Sequence, residues 1–271
     1  MSLARLCFVA TLALAVPASS HELWIAPLEY QADSGGNLQA HFRNGEGFEG
    51  TTLSYFDQRS TRFEMIVNGD TTKLTPRPGD KPAFTLPDGT PDGLIIVAHE
   101  TTSSSLTYRD WEKFLKFAAH KDFADAGADH IAAGWPQDKF KESYTRHIKA
   151  LMTLGDGAGS DQTVGMATEF TALTNPYAPD FDGQMQVALT YQDAPRPDAQ
   201  VEVFDRAPDD TVTITLHRTD ADGRATIPVT PGHEYLFDAV VLRPADNPDA
   251  DPEQPLWETL WAALTFKVPA R

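Results

Sequence analysis

Cysteine is almost absent from this sequence. The single cysteine, Cys7, lies in the first twenty residues, a segment with the features of a secretory leader. Once that leader is removed the chain has no thiol, so it can form neither a disulfide nor a cysteine-based zinc or iron-sulfur site. Any metal site in the mature protein must therefore be built from nitrogen and oxygen ligands.

Basic residues are also scarce. Lysine and arginine together number 22, against 39 aspartate and glutamate residues, which gives a formal net charge of -17 with neutral histidine. A surface with this balance repels nucleic acid and anionic membranes and attracts cations. We therefore expect no nucleic-acid partner and a preference for positively charged ligands.

Long apolar runs are missing as well. The run Leu6 to Val16 has about 11 residues, short of the roughly 20 that span a bilayer. Arg5 precedes it, and Pro17 to Ser20 supplies a breaker and the small residues typical of a cleavage site. We expect cleavage after Ala18 or Ser20, and a periplasmic mature chain that does not insert into the membrane.

Histidine at position 21 gives the predicted terminus a chemical role. Cleavage after Ser20 places the free α-amine and an imidazole on His21, and together they chelate Cu(II), Ni(II) or Zn(II). Cleavage after Ala18 leaves Ser19-Ser20-His21, whose amine, amides and imidazole favour square-planar Cu(II) or Ni(II). The alternative is that the leader is simply cut beside a histidine that packs or stays solvated.

Short alternating segments dominate the rest of the chain and predict a mainly β fold. We expect two β-sandwich domains, 21–174 and 175–271, with the boundary at Asn175. The second has the strand spacing of an immunoglobulin-like or transthyretin-like sandwich. The predicted strands are Leu38–Arg43, Arg62–Val67, Leu94–His99, Gln184–Tyr191, Ala199–Phe204, Val212–His217, Ala225–Val229, Tyr235–Leu242 and Leu260–Val268.

A helical insertion, at about residues 105–155, is predicted within the first domain. Apolar residues recur at three- and four-residue spacings over Tyr108–His120, with Thr107 as the expected cap. A second helix is predicted over Phe140–Leu154, ending at Gly155. The segment Asp125–Pro136 between them is expected to be a loop.

Several segments resemble a bacterial family of unknown function, the domain of unknown function 4198 family. The matching pieces are His21–Pro27 (HELWIAP), Asn44–Gly50 (NGEGFEG), Lys139–Lys149 (KFKESYTRHIK), Asn175–Tyr177 (NPY) and Trp257–Pro269 (WETLWAALTFKVP). The resemblance implies a β-sandwich similar to periplasmic components of nickel or cobalt uptake. This chain departs from the family pattern at His147, where an aromatic residue usually follows the arginine.

Four of the eight histidines are predicted as metal ligands. His21 is the first, because its amine doubles the donors and the resemblance includes it. His99 follows it, at the end of a strand, and His120 or His130 is the expected third ligand. Two imidazoles and the amine would form a T-shaped histidine brace, which suits Cu(II), whereas a squarer site suits Ni(II). Structural or surface roles are expected for His41, His147, His217 and His233.

Other catalytic motifs are absent from the sequence. No Gly-x-Ser-x-Gly nucleophile elbow and no phosphate-binding glycine loop occurs. Glu142 and Arg146 are expected to form a structural ion pair on the second helix. We therefore expect an exported carrier or accessory factor for Cu or Ni, with Co possible, rather than an enzyme. A copper-brace oxidative enzyme and a metal-free β-sandwich module that contacts an inner-membrane transporter or an outer-membrane receptor remain alternatives.

Overall fold

The computed structural model describes residues 21–246 and 253–270. The predicted leader, residues 1–20, lies outside the described residues. His21, which follows the second predicted cleavage site, is the first described residue. No helix among the described residues is long and apolar enough to cross a membrane. The strands, in chain order, are β1 (Glu22–Pro27), β2 (Gln31–Ala32), β3 (Gln39–Glu46), β4 (Glu49–Leu53), β5 (Ser60–Val67), β6 (Asp70–Lys73), β7 (Phe84–Thr85), β8 (Gly93–Thr101), β9 (Ser104–Tyr108), β10 (Phe140–Leu154), β11 (Thr168–Ala172), β12 (Gln184–Tyr191), β13 (Ala194–Pro195), β14 (Gln200–Arg206), β15 (Val212–Arg218), β16 (Arg224–Pro228), β17 (Glu234–Pro244) and β18 (Trp257–Lys267).

A ten-stranded sheet runs through the whole molecule. Its order is β15-β14-β17-β18-β10-β8-β5-β6, with β2 and β9 also paired to β10. The pairing of β10 with β18 is parallel, whereas the flanking pairs β17–β18 and β10–β8 are antiparallel. Strand β10 therefore joins the N-terminal and C-terminal parts of the chain into one hydrogen-bonded layer.

Two smaller sheets cover this long sheet. One contains β1, β3, β4 and β7, and the other contains β11, β12, β13 and β16. Strand β1 contacts β10 and β18, and β11 also contacts both of these strands. Strands account for 49% of the structure and helices for 8%, so the predicted mainly β sandwich fold is confirmed, and all nine predicted strands are present.

Strands on the two sides of the predicted boundary at Asn175 pack together. Strands from both sides of it share the long sheet, and residues from both sides share one hydrophobic core. The division into domains 21–174 and 175–271 stays a prediction.

Helix α1 spans Trp111–His120 and confirms the core of the first predicted helix. Its cap is Asp110, whose side chain accepts a hydrogen bond from the Glu112 amide at 3.1 Å, so the prediction of Thr107 was wrong. Tyr108 ends β9 instead of beginning the helix. The apolar face buries Phe114, Phe117 and Ala118 against the sheet.

The second predicted helix was wrong, because Phe140–Leu154 forms the fifteen-residue strand β10. From Arg146 onward every residue of β10 is buried, so both faces are covered and the alternation that marks a half-exposed strand disappears. Phe140, Tyr144, Ile148 and Leu151 are spaced as on one face of a helix, although the segment is a strand. Helix α2 (Ala126–Ala132) lies instead within the segment that was expected to be a loop.

The helices pack against the long sheet through a cluster of aromatic side chains. Phe114, which is fully buried, has ring contacts with Tyr108, Trp111, Phe140 and Trp257 at centroid distances of 5.2 to 5.5 Å. This core lies apart from the larger one between the sheets. The helical excursion therefore packs on its own apolar cluster.

Replacing Phe114 by alanine should lower the free energy of unfolding by about 3 to 5 kcal/mol, because it leaves a cavity in this aromatic core. Urea unfolding followed by circular dichroism measures the change. The exposed helix residue Ile131 is the control, and Ile131→Ala should change stability by less than about 0.5 kcal/mol. Equal effects of the two substitutions would contradict the packing described.

Candidate functional site at the start of strand β1

A buried lysine lies at the centre of three carboxylates. The ammonium nitrogen of Lys121, the residue after α1, is 2.6 Å from Glu202 Oε2, 3.0 Å from Asp238 Oδ2 and 3.5 Å from Glu22 Oε1. All four side chains are at most 4% exposed. We call Glu22, Lys121, Glu202 and Asp238 the lysine cluster.

Strand register brings these side chains together. Glu202 on β14 and Asp238 on β17 are direct cross-strand partners, so they project from the same face of the long sheet. Glu22 is the first residue of β1, and Lys121 closes the end of α1. The lysine cluster therefore connects one helix, the long sheet and a smaller sheet at a single point.

Burial governs the ionisation of the cluster. It raises the pKa of Glu22 to about 7, although the charge of Lys121 acts in the opposite direction. Burial likewise raises the pKa of Asp238. It also acts to raise the pKa of Glu202, but the hydrogen bond with His120 and the charge of Lys121 outweigh it and leave that pKa lowered.

The three carboxylates are close enough to resemble a metal site. Their oxygens lie within 4.8 Å of one another, and no other group of three or more His, Cys, Asp or Glu side chains in the described structure meets this condition. Lys121 already supplies a cation to all three. The cluster is therefore accounted for as a buried ion network, and it contains no histidine.

His21 lies immediately outside this buried layer. It is exposed, whereas the side chain of the next residue, Glu22, is only 3% exposed. The His21 carbonyl accepts a hydrogen bond of 2.8 Å from Arg146 Nη2, and its ring forms no hydrogen bond with another described residue. His21 lines a cleft of about 580 Å³ together with Tyr144 and Arg146.

His120 lies beside the lysine cluster and faces a different hollow. Its ring nitrogen Nε2 is 3.1 Å from Glu202 Oε1, and that hydrogen bond raises the pKa of His120. The hollow that it lines also includes Glu22, Lys121 and Phe204, but not His21. His120 thus has a structural partner already.

His99 is buried in the sandwich core. Its ring centroid is 4.3 Å from that of Phe42 and 5.3 Å from that of Phe63, and burial lowers its pKa to about 3. It is therefore a neutral ring among aromatic side chains, and it does not line the cleft of His21.

His130 uses both of its ring nitrogens in hydrogen bonds. Trp257 Nε1 donates to Nδ1 at 3.0 Å, which assigns the proton to Nε2, and Nε2 donates to the Pro136 carbonyl at 3.0 Å. The ring is completely buried among aromatic side chains. The structure thus places the four predicted ligands in different surroundings, and whether any of them binds metal stays a prediction.

Sequence reasoning missed the lysine cluster and misread Arg146. The predicted Glu142–Arg146 ion pair is absent, because Glu142 instead accepts hydrogen bonds from Tyr108 and Thr259. Arg146 lies over the ring of Trp261, with its Cζ 3.8 Å from the ring centroid. The available signal was an acidic residue within an otherwise apolar strand, as at Glu202 and Asp238.

The fold and site define a mainly β protein whose N-terminal strand begins at a buried ion network. The chain belongs to the family described as a domain of unknown function (DUF4198), whose model matches residues 18–243. This match confirms the resemblance to that family found in the sequence. No curated protein matches the chain.

Two solved structures are weakly similar to this chain. The tetra-tandem repeat in the extending region of a large adhesion protein has 12% identity and a TM-score of 0.22, over 92% of this chain and 50% of that one. The D0-D1 domain of intimin has 11% identity and a TM-score of 0.20, over 91% and 97% of the two chains. Scores this low support no argument about fold or function.

The raised pKa of Glu22 predicts how stability depends on pH. The native state keeps the Glu22 proton up to about pH 7, whereas the unfolded chain loses it near the ordinary value of 4.5. The stability that this proton contributes is therefore lost as the pH rises from about 4.5 to about 7. Glu22→Gln cannot ionise, so its stability relative to the natural protein should increase over that range.

Urea unfolding at several pH values between 4.5 and 8 measures this difference. The exposed residue Glu29 supplies the matched control, and Glu29→Gln should follow the natural protein at every pH. A stability difference for Glu22→Gln that does not change with pH would contradict the ionisation described.

Proposed function

We propose that this protein is an exported carrier or accessory factor that binds Cu(II) or Ni(II), with Co(II) a possible cargo, through His21 at its mature N terminus. The single observation that supports the proposal is the position of His21. Its imidazole is exposed at a cleft and has no hydrogen-bond partner among the described residues, while its backbone is held by Arg146. An imidazole beside a free amine is a donor set that suits these ions.

Carriage fits this donor set better than permanent storage. One amine and one imidazole fill two coordination positions and leave the others open to a donor or an acceptor of the metal. The lysine cluster and the hydrogen bond from Arg146 hold the backbone at the start of the strand, so this backbone needs little ordering when a metal binds. The partner that we propose is an inner-membrane transporter or an outer-membrane receptor, reached in the periplasm.

A copper-brace oxidative enzyme is less well supported. A brace needs a second imidazole beside the terminal one, and the predicted partners are a core ring at His99, a Glu202-bound ring at His120 and a fully hydrogen-bonded ring at His130. We therefore place metal carriage ahead of oxygen chemistry.

A metal-free interaction module has one observation in its favour. Strand β15 lies at the edge of the long sheet and exposes Ile214 and Leu216, at 48% and 59%. Exposed apolar edge strands are surfaces on which another strand can pair. A metal carrier that docks on a partner could use the same surface. The exposed edge strand is therefore compatible with the metal-binding proposal.

The test uses the mature chain, with its first residue identified by mass spectrometry. Titration with Cu(II) and Ni(II), followed by calorimetry, should give one tight site. His21→Ala should weaken binding by at least about tenfold, because it removes the imidazole and leaves only the amine. His217→Ala, which alters a histidine on the far edge strand β15, should bind like the natural protein.

Two results would overturn the proposal. The first is a mature chain that begins at a residue other than Ser19 or His21 and binds neither ion. The second is metal binding that is equally strong with and without the His21 imidazole.

A further inference from the structure

Arg146 is a buried cation without a carboxylate partner. It is 6% exposed, and no carboxylate among the described residues lies within 4 Å of its nitrogens. Nη2 donates to the His21 carbonyl, whereas Nη1 is buried with no hydrogen-bond partner. A buried charge of this kind is costly unless an opposite charge compensates it.

Two buried lysines of the same protein, unlike Arg146, are in direct contact with carboxylates. Lys121 has carboxylate oxygens at 2.6 and 3.0 Å, and the fully buried Lys149 has an Asp161 oxygen at 2.7 Å. Burial lowers the pKa of Arg146 to about 10, which still leaves the guanidinium charged at neutral pH. Asp238, Glu142 and Glu22 act on this charge from beyond contact distance. Arg146 is therefore a permanent positive charge that no carboxylate of the described residues contacts directly.

The cleft that Arg146 lines is suited to an anion. Among the described residues, its lining contains a second arginine, Arg59, and hydroxyl groups from Thr101, Ser104 and Tyr144, but no aspartate or glutamate. The absence of carboxylates is unexpected in a chain with 39 acidic and 22 basic residues. Guanidinium and hydroxyl groups are the donors that bind oxyanions.

Leucines complete the cleft and indicate what kind of anion it fits. Leu23, Leu53 and Leu106 contribute apolar surface to the same lining. A volume of about 580 Å³ lies within the range of small-molecule sites, which combine apolar walls with a few polar anchors. An inorganic ion would use the arginines and leave the leucines without a partner.

We infer that this cleft binds a small organic anion that carries carboxylate groups, with Arg146 and Arg59 as its cationic anchors. The anion brings a carboxylate into the cleft that Arg146 and Arg59 line, and its carbon skeleton contacts the leucines. This inference goes beyond the proposed metal binding and holds for the chain without metal.

Calorimetric titration of the metal-free mature chain with citrate tests the inference. The natural protein should bind citrate, and Arg59→Gln should weaken binding by about tenfold through loss of a charged anchor. Arg77→Gln is the matched control, because it removes the same charge from a side chain that is 90% exposed and does not line the cleft. It should bind citrate like the natural protein.

Arg146 needs a variant that preserves the fold. Arg146→Lys keeps the charge but loses the planar fork, so it should weaken citrate binding by about tenfold or more. Circular dichroism establishes that this variant is folded. If it proves unfolded, the comparison of Arg59→Gln with Arg77→Gln decides the question alone.

Several results would overturn the inference. They are no citrate binding at millimolar concentration, equal weakening by Arg59→Gln and Arg77→Gln, and inorganic phosphate binding as tightly as citrate. Because these titrations contain no metal, they leave the His21 proposal intact, and a failure of Cu(II) and Ni(II) binding equally leaves the citrate result intact.

Discussion

The ion network around Lys121 is the interaction on which the rest of the site depends. Its ammonium group joins the end of α1 to β14 and β17 in the long sheet and to Glu22 at the start of β1. Removing Lys121 would leave the buried carboxylates without their cation, and loss of one partner from a buried ion pair typically costs about 3 to 5 kcal/mol. The point at which β1 begins is therefore fixed energetically, and His21 is the first residue beyond it.

Trp261 links this network to the cleft. The Lys121 ammonium lies 4.8 Å from the centroid of its ring, and the Arg146 guanidinium carbon lies 3.8 Å from the same centroid. Both cations thus interact with one buried indole, a favourable arrangement in a water-poor site. On the Lys121 side the cation is surrounded by carboxylates, and on the Arg146 side no carboxylate of the described residues is in contact with it. The two sides of the site therefore differ in chemistry: Lys121 contacts three carboxylates, whereas Arg146 interacts with carboxylates only at longer range.

The sequence predicts the parts of this structure that depend on local pattern. Short apolar or alternating runs predicted nine strands, and helical spacing predicted α1, because these segments carry the residue pattern of the element that they form. The prediction failed at β10, because Phe140, Tyr144, Ile148 and Leu151 recur at helical spacing and the buried C-terminal half of the strand shows no alternation to oppose it. Glu202 and Asp238 meet only because β14 and β17 pair in a particular register, and no local pattern specifies that register. The same limit applies to Arg146, whose surroundings come from β1, β18 and the β8–β9 connection.

The leader sequence predicts that His21 lies at or near the mature N terminus. The surroundings of the other three predicted ligands could be learned only from the fold. His130 shows the difference, since it was expected in a loop as a metal ligand but lies on α2 and fills an aromatic core. The measurement that tests the account most directly is a crystal structure of the Cu(II)-loaded mature chain with anomalous data at the copper edge. The account predicts one strong peak bonded to the His21 ring and the terminal amine, at the mouth of the cleft. A main peak among Glu22, Glu202 and Asp238, or none at His21, would contradict it.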